Sequence, residues 1–555
     1  MHICLTIPEV QAIICDRLMD TSDKDALGKL ARTCKALHIQ PIAAMWRELR
    51  DIWPLLFCIP RDVFEKDSGT RFIVRRPVNL GDLKRFIFYA RFVRTLCMPL
   101  YVARLLDATC WAALQMSLAP PILPNLQSLE WVFMHANYTG PQVFQYLTLF
   151  LHPKITGLKI RVGYHSRPGA HPNATLLPNL PAKCPHMQDF ALLDQKWATD
   201  DLIVMLWYLL CRWPGIRSLE VPRLDDSGML VLAALPQLSS LRLFNPGRRD
   251  KFPDMPAPVF RALRSLSLTP SRLTFGINFF RSLPNTIFLR EFRFKCARSQ
   301  KEDHWRSLIN ELGRHCCPLT LEDIDINDDM VDDPDLSSEI GLHSLDSATL
   351  SPLLKFKNLV RVSLRCFGAF TLKDEDMKDL AKAWPLLEHL WLMSRRDENR
   401  PRCLTIRGLV PLAQHCRRLK NLVLDFDAED LSFSDNPPAG ARQRSLTYLD
   451  VEFSPLRSAR IVAAYLSALF PCILDIECAA TSSEGALVRN DSEESAARRK
   501  KWKRVADMLP VFGVVRAHER RGLDYVSDAS EDIGEKELND NAYDTDAEPE
   551  EGDLE

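Results

Sequence analysis

The chain has 555 residues, which is too long for one ordinary domain and favours a multidomain or repeat protein. Hydrophobic residues make up 46% and charged residues 26%, which excludes wholesale disorder, and a count of 21 Gly excludes collagen. The formal net charge of −1 hides two charged segments. Residues 498–521 carry nine basic and two acidic residues, whereas residues 524–555 carry 14 acidic residues and one basic residue. The remaining body carries about +5, too weak a field for strong nucleic-acid binding.

The N-terminus and the cysteines indicate the compartment. The start, MHICLTIPEV, lacks a basic segment, so the sequence predicts no secretory signal. The longest apolar run, residues 202–211, is about half of the ~20 residues needed to span a bilayer. The 16 Cys should therefore stay reduced in the cytoplasm or the nucleus. They form no CxxC pair, and adjacent side chains in residues 315–317 diverge, so we predict neither a metal site nor a cofactor.

The first fifty residues contain three short helical patterns. The first begins at Pro8, the second covers residues 26–37, and the third starts at Pro41. Apolar residues recur at helical spacing on the first pattern: Val10, Ile13, Ile14 and Leu18. Three short helices can bury only a small core, so we expect a partner or the next domain to cover the remaining apolar surface.

This segment resembles the F-box motif. The resemblance is carried, in order, by Ile7-Pro8-Glu9-Val10, Ile13-Ile14, Leu30-Ala31-Arg32-Thr33-Cys34-Lys35 and Met45-Trp46-Arg47-Glu48-Leu49. It departs from the family pattern at Cys15, where an aromatic residue often stands. The resemblance implies binding to the Skp-family adaptor of a cullin–RING ubiquitin ligase. A few apolar anchors would carry that contact: Ile7, Pro8, Ile13, Ile14, Leu27 and Leu30. A plain helical cap on the array that follows is the other interpretation.

A strand-like unit, apolar-x-x-apolar-x-apolar, recurs fourteen times between Val93 and Cys478. The mean step from Leu126 to Ile473 is about 29 residues, at the upper edge of the leucine-rich repeat period of roughly 20–29. Helical segments lie between the units and often end in a proline turn such as Trp384-Pro385. The array resembles the cysteine-containing leucine-rich repeats that are common behind F-boxes. The resemblance implies an α/β solenoid with parallel strands on the concave side and helices outside.

Alternate strand side chains are expected to face solvent on the concave side. The candidates for binding a target are Phe244, Arg293, Arg365, His389, Trp391 and Tyr448. Phe244 and Trp391 suit recognition anchors, with packing under a loop as the alternative. The sign of the charge changes along the arc, towards acidic near Asp323 and Asp450, which favours a protein ligand of mixed charge.

The sequence predicts five segments in order. They are an F-box (1–50), a helical linker or cap (51–90), a leucine-rich-repeat solenoid (91–480), a basic helical segment (481–523) and a disordered acidic tail (524–555). The basic segment fits a solvated helix face, a nuclear localisation patch or a nucleic-acid contact. Ser527 and Ser530 precede acidic residues, which suits acid-directed phosphorylation.

Catalytic motifs are absent: the sequence has no GxxxxGK[ST], GxSxG, GxGxxG or HExxH, so we predict no intrinsic enzyme. The leading hypothesis is an F-box protein with C-terminal leucine-rich repeats of the fungal type. It would be the substrate-recognition subunit of a Skp–cullin–F-box (SCF) E3 ubiquitin ligase, with no membrane contact. A repeat scaffold without a ligase role and a nuclear regulator using the basic segment are the alternatives.

Overall fold

A computed structural model describes most of the chain. The described residues are 3–20, 24–66, 72–99, 106–133, 146–162, 177–193, 200–222, 224–244, 251–270, 272–296, 302–328, 344–366, 368–394, 402–438, 440–478 and 493–521. The acidic tail predicted for 524–555 lies outside them. Within the described part, no helix is both long enough and apolar enough to cross a membrane.

The described part of the chain forms 19 strands, of which 15 belong to one parallel sheet. The strands are β1 (Glu48–Leu49), β2 (Phe64–Lys66), β3 (Phe72–Val74), β4 (Thr95–Met98), β5 (Ser128–Phe133), β6 (Gly157–Val162), β7 (Asp189–Leu193), β8 (Ser218–Val221), β9 (Ser240–Phe244), β10 (Ser265–Thr269), β11 (Glu291–Lys295), β12 (Asp323–Asn327), β13 (Ser344–Leu345), β14 (Arg361–Cys366), β15 (Ala369–Phe370), β16 (His389–Ser394), β17 (Asn421–Leu424), β18 (Tyr448–Asp450) and β19 (Asp475–Glu477). Strands β2 and β3 form an antiparallel pair, β13 and β15 form a short parallel pair, and the others follow one another across the large sheet.

The described part of the chain forms 16 helices, most of which connect successive strands of the large sheet. They are α1 (Pro8–Asp20), α2 (Lys24–Ala31), α3 (Ile39–Arg47), α4 (Trp53–Leu56), α5 (Lys84–Ala90), α6 (Ala108–Ser117), α7 (Leu180–Lys183), α8 (Asp200–Arg212), α9 (Asp226–Ala234), α10 (Leu273–Arg281), α11 (Glu302–His315), α12 (Ser347–Leu350), α13 (Asp374–Ala383), α14 (Leu409–His415), α15 (Ala459–Leu469) and α16 (Glu493–Arg521). Short 3-10 turns lie at Ile3–Thr6, Lys35–Leu37, Leu177–Asn179, Ser351–Lys355 and Ile406–Gly408.

The predicted apolar units form the core between the sheet and the helices. Each of the fourteen units coincides with a strand of the large sheet, which confirms the predicted α/β repeat architecture. In the middle of the array, Leu266, Phe292 and Ile324 lie side by side on β10, β11 and β12, and all three are fully buried. Parallel strands of one register stack identical positions, so one inward row of apolar side chains continues from repeat to repeat.

Residues at the turns before several strands link one repeat to the preceding one. The indole of Trp213 donates to the carbonyl oxygen of Cys184 at 3.0 Å, and that of Trp384 donates to Leu353 at 3.3 Å. The Cys416 thiol lies 3.5 Å from the carbonyl oxygen of Trp384, and burial raises its pKa to about 12. Such a thiol is a packing group with a weak donor rather than a nucleophile.

Gly276 on α10 fits the same dense packing. A Cβ at this position would lie 2.5 Å from the Phe294 ring and 3.0 Å from Leu308. The helix can therefore approach the sheet closely only because this residue has no side chain.

The sheet begins earlier than the predicted start of the solenoid at residue 91. Strand β1 directly follows α3 and pairs with β4, so Leu49 lies beside Leu96. The Trp46 ring stacks on Tyr89 with centroids 4.3 Å apart, and the Arg94 amide donates to the Arg47 carbonyl oxygen at 2.8 Å. The N-terminal helices are thus joined to the solenoid through shared sheet and ring contacts.

The C-terminal helix α16 closes the other end of the array. Trp502 is 1% exposed, its indole donates to the Ser454 carbonyl oxygen at 2.8 Å, and its ring meets Phe426 edge to face. Val505 is also buried, and Arg516 donates to the Ala464 carbonyl oxygen on α15 at 2.9 Å. The predicted basic helical segment therefore packs on the last repeat along one face.

Candidate protein-interaction surfaces

The N-terminal helices α1, α2 and α3 enclose a small core of their own. Cys15, Leu27 and Ala44 form its buried centre, with one residue contributed by each helix. An ion pair between Asp16 and Arg47 ties α1 to α3 at 2.5 Å. Leu27 was predicted as a direct adaptor anchor but is 0% exposed, because three short helices need it to form their own core. Leu30 is half-buried and packs against the same cluster.

Three isoleucines remain outside this core and form the isoleucine face, defined as Ile7, Ile13 and Ile14. Their exposed fractions are 42%, 62% and 36%, and Pro8 beside them is also exposed. Helix α1 turns Cys15 and Gln11 inward, which directs these neighbouring positions to solvent. Ile39 at the start of α3 is also 41% exposed. It was not among the predicted anchors, because its position at a helix start gave no periodic signal. Exposed isoleucines on so small a unit are typical of a surface that a partner covers.

The first aromatic candidate for binding a target, Trp391, lies on the concave face in the C-terminal half of the large sheet. Trp391 on β16 lies beside Ser363 of β14 and is half-buried. The Arg365 guanidinium lies 5.5 Å from the centroid of the Trp391 ring, which is a cation–π distance. The indole Nε1 atom is shielded from solvent and makes no hydrogen bond with any residue that the structure describes. Trp391 therefore presents ring surface, with Arg365 beside it, rather than a free donor.

The other aromatic candidates are more restricted. Phe244 is half-buried at the end of β9, so it is not fully exposed as a concave anchor would be. The Tyr448 hydroxyl donates to the Glu477 carboxylate on β19 at 2.8 Å. Burial, followed by that hydrogen bond, raises the pKa of Tyr448 above its ordinary range. This side chain is thus held by the neighbouring strand.

Charged side chains of the concave face pair across adjacent strands. Arg242 on β9 contacts Glu220 on β8 at 3.1 Å, and Arg361 on β14 contacts Asp323 on β12 at 3.4 Å. Arg293 pairs with Glu291 of the same strand. The sequence predicted separate basic and acidic regions along the arc. Cross-strand pairing instead neutralises much of that difference.

Two concave positions that were expected to face solvent are buried. Ser363 is 5% exposed and donates to Asp325 at 3.1 Å, while Asp450 is 5% exposed and accepts a hydrogen bond from the Glu452 amide. Burial raises the pKa of the Asp450 carboxyl. Burial also lowers the pKa of His389, and Arg361 lowers it further, so this imidazole is neutral at pH 7.

A pocket opens at the carboxyl ends of β16, β17 and β18. Arg402 donates to Asp425 at 2.8 Å, and the Ser454 hydroxyl donates to the same carboxylate at 3.3 Å. Apolar walls surround this pair: Phe370, Leu372, Leu392, Leu404, Leu424 and Phe453. Sequence reasoning did not identify the pocket, because Arg402 and Asp425 belong to different repeats with no shared motif. The Arg402–Asp425 ion pair provides no nucleophile.

The described residues hold no group of three or more His, Cys, Asp or Glu side chains suited to a metal ion. The buried thiols are far from the thiolate form that metal binding or nucleophilic attack needs. Burial raises the pKa of Cys184 to about 11 and that of Cys110 to about 12.

Comparison with known proteins gives distant likenesses of architecture. No family model matches the sequence, and no curated protein matches it either. Among solved structures, an internalin (inlF) from Listeria monocytogenes str. 4b F2365 is 17% identical, with a TM-score of 0.32, over 64% of this chain and 81% of that chain. Rad7 in the Rad7 and Elc1 complex in yeast is 13% identical, with a TM-score of 0.30, over 87% and 92%. The APL1 leucine-rich repeat domain is 13% identical, with a TM-score of 0.28, over 74% and 85%. Likenesses at this level carry no inference about function.

Proposed function

We propose that this chain is the substrate-recognition subunit of a Skp–cullin–F-box E3 ubiquitin ligase. The observation that carries the proposal is the isoleucine face, on α1 and the residue before it, in a helical unit whose sequence resembles the F-box. A Skp-family adaptor would cover Ile7, Pro8, Ile13 and Ile14, while Leu27 and Leu30 support them from within. Burying exposed apolar anchors is the usual source of affinity at such an interface.

The contribution to ubiquitin transfer would be proximity rather than chemistry. A target held by the concave face would lie at a defined position relative to the adaptor, because β1 continues α3 directly into the sheet. Holding two reactants in one assembly raises the effective concentration of a target lysine near the charged conjugating enzyme. The chain itself supplies no catalytic group to this step.

The target would be a protein that meets the concave face around Trp391. The ring of Trp391 with Arg365 beside it offers an aromatic and cationic contact. The neighbouring ion pairs, such as Arg361 with Asp323, offer polar groups of both signs. The other four candidates would contribute at the rim of this contact, since they are half-buried or already bonded: Arg293, His389, Tyr448 and Phe244.

Co-expression with a Skp-family adaptor tests the adaptor contact. We expect the full chain to co-purify with the adaptor and the Ile13→Asp variant to lose it, because a buried carboxylate without a partner is costly at an apolar interface. Met116→Asp on α6 is the matched control, because Met116 is 88% exposed on a helix outside the N-terminal unit. Equal adaptor recovery by the wild type and the Ile13→Asp variant would remove the basis of the ligase proposal and favour a plain repeat scaffold.

Target capture tests the concave contact separately. Proteins that co-purify with the full chain and with the Trp391→Ala variant are compared by quantitative mass spectrometry. We expect a specific subset to be lost from the variant while the adaptor is retained. An unchanged set would show that Trp391 is not a target anchor.

A further inference from the structure

Helix α16 has two faces with different roles. Its inner face holds Trp502, Val505 and Leu509, which are buried against the last repeat. Its outer face carries four exposed basic side chains, here called the basic face: Lys500, Lys501, Lys503 and Arg504. None of the four forms an ion pair with another residue that the structure describes. The outer face is thus a cationic surface without a described partner.

Further along the same side of α16, the outer face becomes apolar. Val511 and Val514 are 63% and 56% exposed, and they follow Arg504 and the exposed Asp507 at helical spacing. One acidic side chain therefore lies between the basic face and the valines. From the C-terminal end of α16 back towards Lys500, the outer face therefore presents the two valines first, then Asp507 and then the basic face.

The chain that continues from α16 has a matching order of residues. Tyr525 and Val526 follow the helix closely, and Asp528, Glu531 and Asp532 come next. Arg504 lies 17 residues before the helix end at Arg521, which is about 25 Å along the axis. About eight extended residues span that distance, so a chain that turns back after the helix brings residues 528–532 level with Arg504.

We propose that the acidic segment 524–540 docks along the outer face of α16 and shields the basic face from external polyanions. The valines would meet Tyr525 and Val526, and the lysines would meet the carboxylates. The proposal is independent of the ligase role, because it concerns the opposite end of the solenoid. Phosphate on Ser527 or Ser530 would add about −1.5 to −2 charge at the level of Arg504 and tighten the contact.

Zero-length carboxyl-to-amine cross-linking of the full chain tests the contact directly. At low salt, we expect cross-links from segment 524–540 to Lys500, Lys501 and Lys503 to exceed those to three exposed control lysines by about tenfold, the combined effect of several exposed ion pairs. The controls are Lys357, Lys378 and Lys382. At 1 M salt the preference should vanish, because the Debye length falls to about 3 Å. An even distribution at low salt would overturn the proposal.

Mixing chains of two isotopic compositions distinguishes the occupant. Cross-links within one isotopic composition support docking of the chain's own tail, whereas cross-links between compositions would show that a second copy supplies the tail and would overturn the proposal.

Binding of a heparin oligosaccharide tests separately whether the docked tail shields the basic face. The tail variant D528N/E531Q/D532N should bind the probe about tenfold more tightly than wild type. Lys500→Glu in that variant should weaken binding, whereas Lys378→Glu should not. Equal binding by wild type and the tail variant would refute shielding.

Discussion

Replacing Trp502 by alanine tests whether α16 is an integral cap of the solenoid. The side chain is 1% exposed and donates one hydrogen bond to Ser454 at 2.8 Å. A buried tryptophan removes about 150–250 Å² from water, worth about 4–6 kcal/mol at 25 cal/mol per Å². Measured large-to-small changes of this kind cost about 3–5 kcal/mol. We therefore expect Trp502→Ala to lower the free energy of opening of the last repeat by about 4 kcal/mol.

The loss should be local, because each repeat contacts only its neighbours. Hydrogen–deuterium exchange is the appropriate assay, since it reports the opening free energy of each segment separately. Amides of α15 and β19 should exchange faster in the variant, whereas those of β10 and β11 should be unchanged. Trp502→Phe keeps most of the burial and loses only the hydrogen bond, so it should cost about 1–2 kcal/mol.

Lys501→Ala is the matched surface control, because Lys501 is exposed on the same helix. It should change the opening free energy by less than about 0.5 kcal/mol. If Trp502→Ala costs less than about 1 kcal/mol, or if protection falls equally along the whole sheet, the assignment of α16 as a local cap is refuted.

Three further predictions concern packing, the buried ion pair and the thiols. Gly276→Ala should destabilise the chain by about 1–3 kcal/mol in denaturant unfolding, because its Cβ would overlap a buried ring, whereas Gly28→Ala has open space and should stabilise α2 by about 1 kcal/mol. Burial raises the folded-state pKa of Asp425, so the folded state keeps this proton to higher pH than the unfolded state and stability falls as pH rises through that window. Arg402→Met should remove the partner and cost about 3–5 kcal/mol at pH 7, with a smaller loss in acid; a pH-independent loss would contradict this. Cys416 should react with iodoacetamide at pH 8 only after denaturation, whereas exposed thiols such as Cys34 and Cys403 should react in the folded chain, as followed by mass spectrometry.

The strands were predictable because their signal is local. Each unit of the form apolar-x-x-apolar-x-apolar places its last two apolar residues on the inner face of one strand, as Leu390 and Leu392 show on β16. Alternation within a few residues is sufficient to define that face, so neither the loop lengths nor the insertions hide it. The same reasoning missed β1, because two residues after a helix carry no periodic pattern.

The interaction surfaces were less predictable because they depend on contacts between distant residues. The interior position of Leu27 follows from how α2 meets α1 and α3, and the helical spacing of Leu27 is the same whether it faces a core or a partner. The pairing of Arg361 with Asp323 requires the register between β12 and β14, which lie 38 residues apart. Likewise, one basic run contains both the buried Trp502 and the exposed lysines, and only the packed helix separates them.

The two ends of the large sheet determine whether the molecule could polymerise. A parallel sheet of this length is a template for end-to-end stacking, since each outer strand leaves backbone donors and acceptors open to another chain. Strand β1 offers two residues and β19 offers three, and α16 packs beside β19. So little unpaired backbone gives a second molecule few hydrogen bonds to gain. We therefore expect the two short outer strands to limit end-to-end growth of the sheet into fibres.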